Sequence, residues 1–259
     1  MYHALVKDQN GLTLNLTGQE DKWAVTSITG LSSPPVTLNT SSYAGFDGSA
    51  FNSAKVGARN IVITLMLNGD FEDSREALYK FFPPKKQVEF RFSNASRKIK
   101  INCYVESTEC DFFSDNETMQ ISLMCLDPWF ISTDPNDVTT RAITTNTLVV
   151  STSEIPTGAV MTFTVTSQCS RLKVENVESG EYLTLYYTFY AGDVVTVNTQ
   201  SGSRSITLTR NGTTSNLVSA FVFGSSFLQI PVGSSHFTFT ATGGDASLSV
   251  VYTAMFRGV

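Results

Sequence analysis

The sequence holds few of the residues on which most enzymes depend. Only two histidines, His3 and His236, occur in 259 residues, and the four cysteines at 103, 110, 125 and 169 form no CxxC pair. Zinc sites need close Cys or His pairs, so no metal is expected. There is no GxSxG elbow, no HExxH, no phosphate loop and no GxGxxG fingerprint. A nucleophilic triad would have to use one of the two histidines, and His236 has a plainer place as the solvent-facing member of a strand whose Phe237 and Phe239 point inward. No catalytic residue and no cofactor is expected.

Charge is scarce as well. Charged residues make up 16% of the chain, against about 25% in ordinary globular domains. The formal net charge is −5, and no basic cluster is longer than Lys85-Lys86, which excludes a nucleic-acid groove with a basic stripe. No run of about 18 apolar residues is present, and the N-terminus MYHALVKDQNGL lacks the pattern of a secretory signal. A soluble protein made in the cytoplasm, with no membrane insertion, is the expectation. The deficit of charge points to surface hidden against other chains.

What is present is strand signal, as period-two alternation. Ile61, Ile63, Leu65 and Leu67 alternate with Val62, Thr64 and Met66; Val88, Phe90 and Phe92 with Gln87, Glu89 and Arg91; Ile99, Ile101 and Cys103 with Lys98, Lys100 and Asn102. Antiparallel sheets packed on one face and wet on the other give this pattern. Cys103 and Cys125 fall in the apolar phase of their strands and read as buried small hydrophobes. One helix is predicted over about 74–82. Asp73 caps it with Glu76 as reciprocal partner, Glu76 and Lys80 are spaced to pair, Leu78, Phe81 and Phe82 form the apolar side, and Pro83-Pro84 ends it.

A polar, turn-rich stretch around Asp134-Pro135-Asn136-Asp137 predicts a domain boundary near residue 138. The expected fold is therefore mainly β with two domains: residues 1–138 as an antiparallel β-sandwich with one helix, and 139–259 as a galectin- or jelly-roll-like β-sandwich. Seven strands are expected in the second half, beginning near Val160, Arg171, Tyr182, Asp193, Ser205, His236 and Ser247. Gly202 and Asn211-Gly212 supply turns between or after them.

Two stretches could carry chemistry. Glu106, Glu109, Asp111, Asp115 and Glu117 could supply the paired carboxylates of a glycosidase, but a solvated loop between strands explains them better. Tyr182, Tyr186, Tyr187, Phe189 and Tyr190 could stack on sugar rings, yet Tyr187 shares its phase with Leu183 and Leu185, so ring packing in the core is the favoured reading. A third stretch, Leu126-Asp127-Pro128-Trp129-Phe130, breaks a strand with a proline that cannot donate to a ladder. There Asp127 is expected to bond local backbone amides, while Trp129 and Phe130 pack over the end of the first domain.

Taken in order, several stretches resemble one family. Ser27-Ile28-Thr29-Gly30-Leu31 runs into Pro34-Pro35, followed by Tyr43, Asp47-Gly48 and the strand led by Arg59-Asn60-Ile61; then come the helix and the Asp127-Pro128-Trp129 closure. The second half adds Gly192-Asp193-Val194, Arg210-Asn211-Gly212, Pro231-Val232-Gly233 and a terminal Arg257-Gly258-Val259. This series resembles the distal tail proteins (Dit) of phages with long, non-contractile tails. The resemblance implies a structural virion protein at the tail tip or baseplate, a hexameric ring whose first domain continues the tail tube and whose second projects outward. Its implied partners are the tail tube protein, the tail-tip hub or tail-associated fibre protein, and receptor-binding proteins at the periphery. DNA passes through such a ring without sequence-specific binding. The alternative from another class is a glycan-binding sandwich that touches the host surface.

Overall fold

A computed structural model describes residues 2–45, 47–112 and 117–259. It divides into two compact units, Met1–Asp134 with Phe256–Val259, and Pro135–Met255. The second unit is thus an insertion in the chain of the first. The division falls four residues before the expected boundary because Val138–Ile143 is already a strand of the second unit, paired along its length to Ala246–Thr253. The last four residues go back to the first unit because its arginines hold their carbonyls, as described below.

The first unit contains β1 (His3–Asp8), β2 (Thr13–Asn15), β3 (Trp23–Thr29), β4 (Val36–Ser41), β5 (Ala50–Val56), β6 (Arg59–Leu67), α1 (Phe71–Phe81), β7 (Gln87–Ser93), β8 (Lys98–Cys110), β9 (Thr118–Cys125) and β10 (Phe130–Ser132). Its main sheet follows the order β2-β1-β7-β8-β9-β6-β3, with β10 beside β8, and these neighbours pair antiparallel. The alternating residues do what their phase demands: Ile61, Ile63, Leu65, Val88, Phe90, Ile99, Ile101, Cys103, Met119, Ile121, Leu123 and Cys125 are buried. Strands from one end of the sheet to the other contribute to this one apolar face, with Val6 of β1 and Trp23 of β3 at its flanks. Such a face is shielded when the sheet curls over it. Helix α1 adds Leu78 and Phe81, and its C-cap Phe82 is buried too.

The helix starts one turn earlier than its sequence suggests. Asp70, not Asp73, is the N-cap, and its carboxylate accepts from the Asp73 amide at 3.2 Å. Two aspartates three residues apart both satisfy the capping pattern, and the earlier one wins because Phe71 and Ser74 then fall within the helix, Ser74 buried. Lys80 donates to Glu76 at 3.1 Å, as the spacing demands.

The second unit contains β11 (Val138–Ile143), β12 (Thr147–Ser151), β13 (Ala159–Val165), β14 (Cys169–Asn176), β15 (Tyr182–Phe189), β16 (Val194–Asn198), β17 (Ser205–Arg210), β18 (Thr213–Asn216), β19 (Gly233–Thr242) and β20 (Ala246–Thr253). They form two antiparallel sheets, β11-β20-β13-β16-β17-β18 and β12-β19-β14-β15. Met161, Phe163, Val195, Val197 and Leu248 from one sheet meet Leu172, Val174, Leu183, Leu185 and Phe237 from the other in a single core. Strands β11, β12 and β18 go beyond the seven expected; each is short and lies at an edge of its sheet, and only Ile143, Val149 and Ser151 among their side chains are buried.

Candidate functional site

Arg59 opens strand β6, where a charged residue would be expected to face water. Instead it is 1% exposed, and its guanidinium reads the backbone of three distant segments. Nε donates to the Pro128 carbonyl at 2.8 Å, Nη1 to the Gly30 carbonyl at 2.6 Å and to that of Ser32, and Nη2 to that of Arg257. The guanidinium carbon lies 4.2 Å from the centroid of the Phe130 ring. Burial pushes the pKa of Arg59 below its ordinary value, and carbonyl dipoles in place of a carboxylate satisfy the cation.

The seam residues are therefore parts of one construction. Asp127 accepts from the Trp129 amide at 3.4 Å, Pro128 offers its carbonyl to Arg59, and Phe130 carries the cation. Of the two rings expected to pack there, Trp129 is only half-buried, whereas Phe130 is completely buried and closes the core. Gly30 has φ +80°, and a Cβ there would come within 2.0 Å of the Asn60 carbonyl oxygen, so the chain can pass beside β6 only as glycine. Arg97 repeats the motif: it donates to the Gly258 carbonyl, and its guanidinium lies 4.4 Å from the Phe256 ring centroid.

Strands β4 and β5 stand apart as a two-stranded ribbon. Cross-strand partners share a face, so Val36 with Val56, Leu38 with Ala54, and Thr40 with Phe51 make one side, and Thr37 with Lys55, Asn39 with Ser53, and Ser41 with Ala50 make the other. A bulge between Asn39 and Thr40 sets Phe51 on the apolar side. Leu38 is 61% exposed and Phe51 66%. The same unit carries a separate groove of about 460 Å3, lined by Tyr2, Val25, Ile28, Leu31, Phe92 and Val259 among others.

The seam residues of the second unit also converge. Asp193 is buried, and Arg210 grips it with two bonds, Nε to Oδ1 at 2.8 Å and Nη2 to Oδ2 at 2.6 Å. Arg210 holds the Asp193 carboxyl below its ordinary pKa, against the opposing effect of burial. Gly192 precedes it with φ +89°, and the Tyr190 amide donates to Asp193 Oδ2 at 2.8 Å. Arg210 pairs directly with Thr213, so Asn211 and Gly212 are a two-residue hairpin loop, both with positive φ (51° and 78°), as a type I′ turn requires.

Several of the described side chains that could have served catalysis are engaged in other contacts. Strand β8 runs on to Cys110, so Glu106 and Glu109 are strand residues and not loop residues. Glu106 sits at a bulge and accepts from Ser122 Oγ at 2.8 Å and Asn60 Nδ2 at 3.1 Å; Asp115 lies outside the described residues. His236 Nδ1 meets Glu178 Oε1 at 2.6 Å while Ser235 donates to Glu178 Oε2 at 2.7 Å. The carboxylate therefore separates serine from imidazole, the reverse of a triad, where the imidazole must touch the nucleophile. Among the described residues no group of three His, Cys, Asp or Glu could hold a metal ion.

Both units match known sequence families. The family described as "Phage tail protein RIFT-related domain" matches residues 18–125, and "Siphovirus-type tail component, C-terminal domain" matches residues 152–256. The chain is thus a structural component of a phage tail. It belongs to the distal tail protein, or Dit, family of siphophages. Among solved structures it is similar to the Dit protein (gp 19.1) of phage SPP1, with TM-score 0.77, 17% identity and 99% of each chain covered. It is also similar to a chain of the phage P2 baseplate in its activated conformation with Ca, with TM-score 0.55, 11% identity, 98% of this chain and 99% of that one. Among curated proteins none matches the chain by sequence at a significant level. Among the described residues no helix is long and apolar enough to cross a membrane.

Proposed function

We propose that six copies of this chain form a ring at the distal end of a non-contractile tail, joining the tail tube protein on one side to the tail-tip hub or tail-associated fibre protein on the other. The first unit, closed by Asp127, Pro128 and Trp129 and by the Arg59 hub, builds the ring. The second, with its Gly192-Asp193 and Asn211-Gly212 turns, serves peripheral partners such as receptor-binding proteins. The observation that carries this reading is the β4–β5 ribbon. An isolated hairpin is marginally stable in water, and one that also exposes Leu38, Phe51 and Val36 on a single face calls for cover from another chain. A closed ring needs two different, complementary patches on each subunit, and the ribbon and the Tyr2–Phe92 groove supply such a pair. The net charge of −5 suits a conduit that lets DNA pass without holding it.

Light scattering on the purified protein, followed by negative-stain imaging, tests the proposal. Rings of six copies are expected, and Leu38→Ser with Phe51→Ser should return the protein to monomers without loss of β-structure. A protein that stays monomeric at high concentration, or a double variant that still forms rings, would overturn it.

A further inference from the structure

Strand β15 is an edge strand, and a bulge interrupts its register. Cys169 pairs with Phe189 and Arg171 with Tyr186, so Tyr187 and Thr188 both stand opposite Ser170. This bulge exposes Tyr186, Tyr187 and Thr188 in succession, while Leu185 and Phe189 on either side are fully buried. Tyr187, in phase with Leu183 and Leu185, would belong to the core without it. Bulges re-aim side chains in this way, often beside binding sites.

The re-aimed rings are organised around Arg210. Its Nη2 donates to the Thr188 carbonyl at 3.1 Å, which fixes the bulge itself, and its guanidinium carbon lies 4.7 Å from the Tyr190 ring centroid and 5.8 Å from that of Tyr187. Tyr186, Tyr187 and Tyr190 are 67%, 39% and 48% exposed. With Ser170, Thr188 and Arg210 they line an open pocket of about 400 Å3.

Three properties select the ligand. The aromatic faces suit the C–H faces of a saturated ring. The three phenol groups, which have no hydrogen-bond partner among the described residues, supply donors and acceptors at the rim. Arg210 is already neutralised by the buried Asp193, so the pocket offers no unmatched cation to an anionic ligand. The volume is that of a small-molecule site, whereas a protein partner needs a footprint of roughly 800 Å2. We infer that this pocket binds a neutral pyranose unit of a glycan, a role independent of ring formation. A ring presenting several such sites would gain through multivalency what each single site lacks.

Saturation-transfer NMR on the full chain, with methyl pyranosides of the gluco, galacto, manno and N-acetylglucosamine series, tests it. At least one should receive saturation, strongest on the C–H protons of one ring face. Tyr186→Ala and Tyr190→Ala should each weaken that binding about tenfold, the loss of one stacked ring, while Tyr190→Phe keeps most of it. Circular dichroism identifies any variant that fails to fold, and the same variants should still assemble as the parent does. No saturation of any of the four pyranosides, or binding unchanged by both alanine variants, would sink the inference. So would alanine variants that bind sugar normally but lose a purified tail protein, which would make the patch a protein contact.

Discussion

Beyond Asp8 of the first unit, which is buried and paired with Lys86 at 3.4 Å, each unit buries one charge among the described residues, Arg59 in the first and Asp193 in the second. The two answer it differently. Asp193 in the second unit is answered by one arginine 17 residues away in a bidentate ion pair. Arg59 in the first unit is answered by carbonyls that lie 27, 29, 69 and 198 residues away. The ion pair tidies a local corner of a sandwich whose apolar core is already continuous. The carbonyl cluster draws together an N-terminal turn, the Pro128 seam and the chain end. A buried cation lacking a counter-ion costs more than an ion pair unless every donor is satisfied, so the first unit depends on its hub as the second does not depend on its corner.

The largest consequence concerns Arg59→Met. Removing the guanidinium leaves four carbonyls without their donor and opens the turn at Gly30, a loss of about 3–5 kcal/mol if the hub behaves as a broken buried charge network. Hydrogen exchange should show β6, β9 and β10 losing protection while β13, β14 and β20 keep theirs. Equal loss in both units would erase the contrast drawn between them.

Next in size is Phe130→Ala, expected to cost about 3–5 kcal/mol as a fully buried ring with a cation upon it. Trp129→Ala, at the half-buried neighbour, should cost roughly 1 kcal/mol, the ordinary size of a point substitution. Urea titrations followed by near-UV circular dichroism would rank the two. If the tryptophan proved the costlier, the closing ring would have been misassigned. Gly212→Ala follows, with an L-residue forced to positive φ at the β17–β18 turn and an expected loss of about 1 kcal/mol confined to the second unit.

These sites differ in how far the sequence reveals them. The core of both units could be read from alternation, since Ile61, Ile63 and Leu65, or Leu172 and Val174, have only one way to face. Asn211-Gly212 could be read because its turn type depends on the two residues themselves. Arg59 could not: its partners are backbone oxygens, which leave no mark in the sequence, and a charged residue at a strand's head resembles a solvent-facing one. Phe51 and Tyr187 were hidden for another reason. A bulge is decided by what the partner strand offers, so period two assigned Tyr187 to the core and left the apolar side of the ribbon unseen. The expectation that Asp127 bonds local backbone amides, by contrast, follows from the short reach of its own side chain.

The smallest expected effect is on pH dependence and again separates the units. In the second, Ser235 and His236 hydrogen-bond the Glu178 carboxylate and lower its pKa from 4.5 to about 2. A carboxylate whose pKa is depressed on folding contributes stability above its unfolded pKa and loses it as pH falls through the folded one. Glu178 therefore contributes fully above about pH 4.5 and nothing once the pH is below 2. Glu178→Gln should flatten the decline of the second unit's thermal midpoint across that window and leave the midpoint of the first unit unchanged. In the first unit the corresponding group is Glu89, whose burial raises the pKa but is outweighed by the hydrogen bonds and charges of Arg91 and Lys100, which bring it below its ordinary value; Glu89→Gln should flatten the acid limb there instead. If either substitution altered the acid limb of both units, the two would share a titrating network, and their separate treatment of charge would be wrong.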